Sequence, residues 1–150
     1  MQKSKLKKSA KMKLLRNGKV TADESEVGYV VFETDKNQSK KDLIDFFGKE
    51  DSQFINVFRK LRMPKEFTLV WIDKFYIKQS QRSKGFGAKI LRMLERKFKN
   101  HTLVIGLSPG QLVKTTNVDK LIPFYEGNGY KVISTKDHYY GFKVIKKKQI

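Results

Sequence analysis

Between Phe67 and Phe98 the hydrophobic period of the chain changes across a short glycine-bearing turn, which dictates a strand followed directly by a helix. Phe67 to Ile77 (FTLVWIDKFYI) is rich in β-branched and aromatic residues, as a buried strand requires. Beyond it, Phe86, Ile90, Leu91, Leu94 and Phe98 recur at helical spacing and predict a helix over about 85–99. The turn reads Arg82-Ser83-Lys84-Gly85-Phe86-Gly87-Ala88. Its glycines fall at the helix start, where the first main-chain N–H groups lack internal acceptors and the helix dipole is positive. Glycine also lets a bulky anion come close to the main chain. Arg82, Lys84 and Lys89 surround this helix start and no carboxylate does, an unfavourable arrangement that a bound phosphate would complete.

At 150 residues, with 39% hydrophobic side chains, the chain is long enough for one domain with a sizeable core. It has no cysteine, which excludes disulfides and thiolate chemistry, and two isolated histidines, His101 and His138, argue against a metal site. No apolar run approaches the roughly 20 residues of a membrane span, and Met1 to Arg16 is too rich in lysine for the apolar core of a signal peptide. The expectation is a cytoplasmic protein with no membrane partner.

The net charge of +18 is concentrated at the ends. Residues 1–16 hold seven basic and no acidic residues, and residues 143–150 hold four and none, leaving +7 for the rest. Of the 33 basic residues 27 are Lys, whereas specific readers of nucleic acid lean on the bidentate Arg fork. Two readings stay open: basic termini that associate with nucleic acid or the ribosome, and a compositional drift toward lysine.

Along the chain, residues 1–10 read as a flexible basic tail and 11–150 as one domain. A first strand is expected near Lys11 to Arg16, with a turn at Asn17-Gly18, and a second at Glu26 to Glu33. After a polar break at Thr34 to Ser39, apolar residues at helical spacing from Asp42 to Leu61 predict helix, split by Gly48 and closed by Pro64. His101 to Leu107 reads as a buried strand. A short helix follows over Val118 to Glu126, with Asn117 as N-cap, then a hairpin of Tyr130 to Ser134 with Tyr139 to Lys146 around Thr135 to Asp137.

Residues 67–134 resemble the GNAT superfamily of N-acetyltransferases. Ile77 stands five residues before Arg82 in an R-x-x-G-x-G segment completed by Gly85 and Gly87, and Leu121 to Tyr130 (LIPFYEGNGY) is similar to the family's later helix. The resemblance implies an α/β (α+β) single domain with a mixed, mostly antiparallel central sheet and flanking helices. It implies acetyl-coenzyme A as cofactor and an amine-bearing acceptor as substrate. The main chain at Phe75, Tyr76 and Ile77 would pair with pantetheine amides. The pyrophosphate would rest on N–H groups of Ser83, Lys84, Gly85, Phe86, Gly87 and Ala88 beside Arg82. Gly106 would permit close approach in the cleft, and Tyr125 matches the tyrosine that protonates the departing thiolate. The helical region 40–62, however, follows strand 26–33, whereas the family's acceptor-side helices usually lie between its first two strands.

Attack on a thioester needs a neutral amine, and therefore a base. Period-two alternation places Trp71, Asp73 and Phe75 on one face of the strand, which makes Asp73 the candidate base; the alternative is a strand carboxylate bonded to Lys or a main-chain N–H. For Tyr125 the alternative to an acid is a core aromatic with its hydroxyl at the surface. Residues 23–51 hold nine carboxylates against four lysines, a net −5 that would attract a cationic amine if it bordered the cleft; solvated acidic loops are the alternative. The expected function is direct acetyl transfer to a primary amine of a small molecule, polyamine or protein. The competing expectation is a GNAT-like binding module that uses its basic tails to hold nucleic acid or an acidic protein.

Overall fold

The apolar residues of Phe67–Ile77 supply two separate cores, one on each side of a single sheet. The computed structural model describes residues 8–14, 20–21, 27–77, 82–109, 118–136 and 138–147. In chain order the elements are β1 (Lys8–Leu14), β2 (Val20–Thr21), β3 (Gly28–Gln38), α1 (Lys40–Gly48), α2 (Phe54–Phe58), β4 (Phe67–Ile77), α3 (Phe86–Lys97), β5 (Leu103–Leu107), α4 (Val118–Gly127), β6 (Lys131–Ser134) and β7 (Tyr139–Ile145). The strands form one seven-stranded sheet in the order β2-β1-β3-β4-β5-β7-β6. All neighbours are antiparallel except β4 and β5, which α3 joins as a parallel pair. This is the mixed, mostly antiparallel sheet with flanking helices that the sequence implies.

Helices α3 and α4 cover one face, where Ile90, Leu91, Leu94, Leu121 and Tyr125 pack on Val30, Phe32, Val70, Ile72 and Phe75. On the other face Leu43, Phe46, Phe47, Phe54 and Phe58 of α1 and α2 pack on Leu69, Trp71, Val104 and Phe142. No helix among the described residues is long and apolar enough to cross a membrane.

Strand β1 begins at Lys8, so the tail expected to end at residue 10 gives up three residues to the sheet. The cause lies in β3, which continues through the polar TDKNQ to Gln38 and so presents Thr34 as the partner of Lys8. That polar stretch stays extended because Thr34, Asp35 and Gln38 pair with Val70, Leu69 and Phe67 of β4. Helix α1 then starts at a capping box: the Ser39 N–H donates to Asp42 Oδ2 at 2.8 Å, and the Asp42 N–H to Ser39 Oγ at 3.4 Å. The turn expected at Asn17-Gly18, the cap Asn117, Asp137 and the chain ends lie outside the described residues.

Asp51, between α1 and α2, is buried and fastens both helices to the β6–β7 hairpin. Its Oδ2 accepts from Thr135 Oγ1 at 2.5 Å and from the Tyr140 hydroxyl at 2.9 Å, and its Oδ1 accepts from the Gln53 N–H at 3.3 Å. Burial pushes this carboxyl up, but the hydrogen bonds from Thr135, Tyr140 and Gln53, with the charge of His138, outweigh it and hold the group below its ordinary value of 3.8. A depressed folded value means that the stabilisation is complete above the unfolded value and is lost as pH falls through the folded one. Asp51→Asn should therefore cost about 1–3 kcal/mol near neutral pH. Denaturant titrations of both proteins at stepwise lower pH should show the difference shrinking below pH 3.8; a difference independent of pH would remove the charge from this account.

Candidate functional site

Parallel pairing of β4 with β5 runs only from Thr68↔Leu103 to Trp71↔Gly106. Strand β5 ends at Leu107, while β4 continues to Ile77, held on its far side by β3 through Gly28↔Ile77. From Ile72 to Ile77 the β5 side of β4 thus has no strand partner among the described residues. Within this stretch Phe32 pairs with Ile72 and Val31 with Lys74, so Asp73 is an extra residue, a β-bulge. The bulge reverses side-chain parity: Trp71 belongs to the α1/α2 core, whereas Ile72 and Phe75 both belong to the α3/α4 core. The expected alignment of Trp71, Asp73 and Phe75 on one face is therefore corrected. Asp73 sits half-buried in the bulge, where β4 leaves β5.

Beyond β4 the chain is tied back on itself. Arg82 Nε donates to the Ile77 carbonyl at 2.9 Å, and its guanidinium lies 5.9 Å from the centre of the exposed Tyr76 ring. Arg82, expected beside an anion, thus closes the loop that presents the helix. Ser83 and Gly85 adopt left-handed backbone, with φ of 64° and 83°. Gly85 is the N-cap of α3, no side chain caps this end, and its first turn has no acidic residue. The first helical bond runs from the Lys89 N–H to the Gly85 carbonyl at 3.2 Å, leaving the N–H groups of Phe86, Gly87 and Ala88 without intrahelical acceptors. A Cβ on Gly85 would meet nothing within 4 Å, so the approach to this turn is open. Lys84 beside it is exposed.

The other two glycines serve packing. A Cβ on Gly87 would lie 2.9 Å from Phe124 Cζ and 3.6 Å from Phe75 Cζ, so the absent side chain lets α3 close on α4. A Cβ on Gly106 would lie 2.8 Å from the Trp71 ring and 3.0 Å from Phe142, so the room expected for a cofactor is filled by an indole.

Helix α4 places Tyr125 in the core beside β4, 1% exposed, with ring centres 6.4 Å from Phe75, 5.1 Å from Phe124 and 5.8 Å from Tyr130. Burial pushes its phenol well above the ordinary tyrosine value, so it stays protonated at neutral pH. Its hydroxyl makes no hydrogen bond among the described residues. Sequence reasoning did not single out Tyr130, whose buried hydroxyl also has no hydrogen-bond partner among the described residues. Burial, then the charges of Glu95 and Tyr125, push that phenol up as well. Asn128 Nδ2 donates to the Phe124 carbonyl at 2.8 Å, and the Tyr130 N–H to the Tyr125 carbonyl at 3.0 Å, fixing both tyrosines at the helix end.

Two carboxylates of the acidic segment are committed away from this site. Asp42 caps α1 and Asp51 anchors the hairpin, both on the sheet face opposite Tyr125, while Asp23, Glu24 and Glu26 lie outside the described residues. Among the described residues no three His, Cys, Asp or Glu side chains cluster as metal ligands do.

No model of a known protein family matches the sequence, and no curated protein does. Among solved structures, the chain is similar to Arabidopsis thaliana NAA60 in complex with acetyl-CoA, at 12% identity over 83% of this chain and 68% of that one, with a TM-score of 0.45. It is also similar to a Corynebacterium glutamicum structure described as histone acetyltransferase HPA2 and related acetyltransferase, at 14% identity over 91% and 64%, with a TM-score of 0.44. An N-acetyltransferase from Staphylococcus aureus Mu50 follows at 12% over 83% and 67%, with a TM-score of 0.41. The chain spans about two thirds of the length of these structures.

The contact at Gly87 gives a direct test of its packing role. Gly87→Val should destabilise the fold by about 1–3 kcal/mol through overpacking against Phe124. Adding Phe124→Leu should recover part of the lost melting temperature. Strictly additive losses in the double variant would show that the two positions do not press on each other.

Proposed function

We propose that this protein is an acetyl-coenzyme A-dependent N-acetyltransferase that transfers the acetyl group directly to a primary amine. One observation carries the reading: the edge of β4, which beyond Trp71 has no strand partner among the described residues, leads to the Arg82–Ile77 bond and into a helix start that no side chain caps and that cations flank. A ligand with amides along one part and a pyrophosphate at the other matches that sequence of partners. The main chain of Phe75, Tyr76 and Ile77 would take the amides. The N–H groups from Ser83 to Ala88 would take the pyrophosphate, with Lys84 balancing its charge. The open space over Gly85 fits this use. Bound acetyl-coenzyme A supplies the acetyl group as a thioester.

The chain's own residues then handle two protons. Asp73, at the bulge where the strands part, receives the proton that the attacking amine gives up, directly or through water. Tyr125, held protonated by burial, donates its proton to the departing sulfur. With no cysteine to carry an acyl group, transfer passes straight from thioester to amine. The acceptor belongs to the amines as a class: small molecule, polyamine or protein.

Calorimetric titration with acetyl-coenzyme A tests the holding function, and absence of binding at millimolar cofactor would overturn the proposal. Tyr125→Phe removes a hydroxyl needed only as charge develops on sulfur. Its kcat should fall by roughly 10- to 1,000-fold with cofactor affinity nearly unchanged. Asp73→Asn should lower kcat and erase the acidic limb of the pH–rate profile; an unaltered profile would return Asp73 to a purely structural role.

A further inference from the structure

On the sheet face opposite Tyr125, a cavity of about 400 Å³ opens between the chain leaving α2 and the edge of the β6–β7 hairpin. Part of its wall is apolar, formed by Leu61, Met63, Phe142 and Val144, all joined to the α1/α2 core. Lys60, Arg62 and Lys131 also line it. All three are exposed and none makes a hydrogen bond or ion pair among the described residues. Among the described residues no carboxylate lines the cavity.

The backbone adds to this polarity. The ammonium of Lys40 donates to the carbonyls of Arg59 at 2.7 Å and Leu61 at 2.6 Å, fixing both peptide planes. In a trans peptide the N–H points opposite to the carbonyl. The N–H groups of Lys60 and Arg62 therefore point away from Lys40, and neither donates to another group among the described residues. The hairpin leaves the cavity open because β6 begins at Lys131, opposite Phe142, so Val144 has no strand partner on that side among the described residues. Three cations without a partner among the described residues and the side chains of Leu61, Met63 and Val144 thus line one cavity.

We propose that this cavity binds a small amphiphilic anion, a carboxylate head on an apolar body. The head takes the charges of Lys60, Arg62 and Lys131, and the body covers the wall at Phe142 and Val144. An inorganic anion would leave that wall exposed, and a neutral apolar molecule would leave the cations uncompensated.

The probe is sodium octanoate, titrated into the full chain by calorimetry and by NMR, with octan-1-ol and sodium acetate as head-less and body-less comparisons. Octanoate should bind saturably, at least about tenfold more tightly than either comparison. Methyl shifts should concentrate at Leu61, Met63 and Val144. Lys60→Glu with Lys131→Glu should weaken octanoate by about tenfold or more, and the milder Lys60→Gln with Lys131→Gln should act in the same direction. Both positions are exposed, so thermal melts should match wild type. Affinity for acetyl-coenzyme A should not change, and that titration stands or falls separately. Equal binding of octanoate and octanol, shifts centred on Tyr125, displacement of octanoate by acetyl-coenzyme A, undiminished binding by folded charge-reversed protein, or no saturable binding would each overturn the proposal.

Discussion

Strand β4 has eleven residues but shares only four of its positions with β5, and the place where the two part governs the arrangement of the candidate site. Trp71 and Gly106 form the last pair, with the indole lying over the missing side chain and reaching Phe47 at 4.8 Å between ring centres. Beyond that pair, β5 ends and the Ser108 hydroxyl donates to the Tyr139 carbonyl at 2.8 Å, holding the departing chain to β7. On the other side, the Asp73 bulge keeps β4 registered with β3 while adding local twist. Among the described residues the sheet is thus continuous below the parting and open above it. The start of α3 and the aromatic end of α4 reach that region because Gly87 lets Phe124 pack against α3 and Phe75.

Much of the framework was legible because it is periodic. Phe67–Ile77 matches its expected bounds, α3 and α4 differ by one or two residues at their ends, and Gly48 closes α1 where a break was expected. What escaped was set by partners distant in sequence. Nothing in FTLVWIDKFYI marks Asp73 as an inserted residue, because a bulge exists only relative to β3. The role of a glycine also depends on what stands opposite it. Gly85, Gly87 and Gly106 look alike in sequence, yet one faces open space, one a phenyl ring and one an indole. Tyr125 was found through its motif, whereas the buried hydroxyl of Tyr130 could be recognised only once its surroundings were known.

Charge followed a similar rule. The acidic bias of residues 23–51 looked like a surface property, but Asp42 and Asp51 carry out local tasks in a helix cap and a buried junction. The lysines divide as well: Lys143 is half-buried, bonded to both oxygens of Glu95 at 3.1 and 3.0 Å and to the Asn128 carbonyl at 2.8 Å. Net charge therefore says little about the two faces of this sheet.

The junction at Asp51 also bears on the order in which the chain folds. Its bonds to Thr135 and Tyr140 span 84 and 89 residues, and the parallel strands between them already require a crossover through α3. Contacts of such separation carry a large loop-closure entropy until the intervening chain has been shortened by its own structure. Helices α1 and α2 can collapse locally around Phe47, Phe54 and Phe58, with Asp51 bonded to the Gln53 N–H, but the bonds from Thr135 and Tyr140 wait for the β6–β7 hairpin. Full anchoring of this face therefore requires the β6–β7 hairpin. During synthesis, a nascent chain released only as far as β5 would expose the phenylalanines of α1 and α2 without the strand that later covers them.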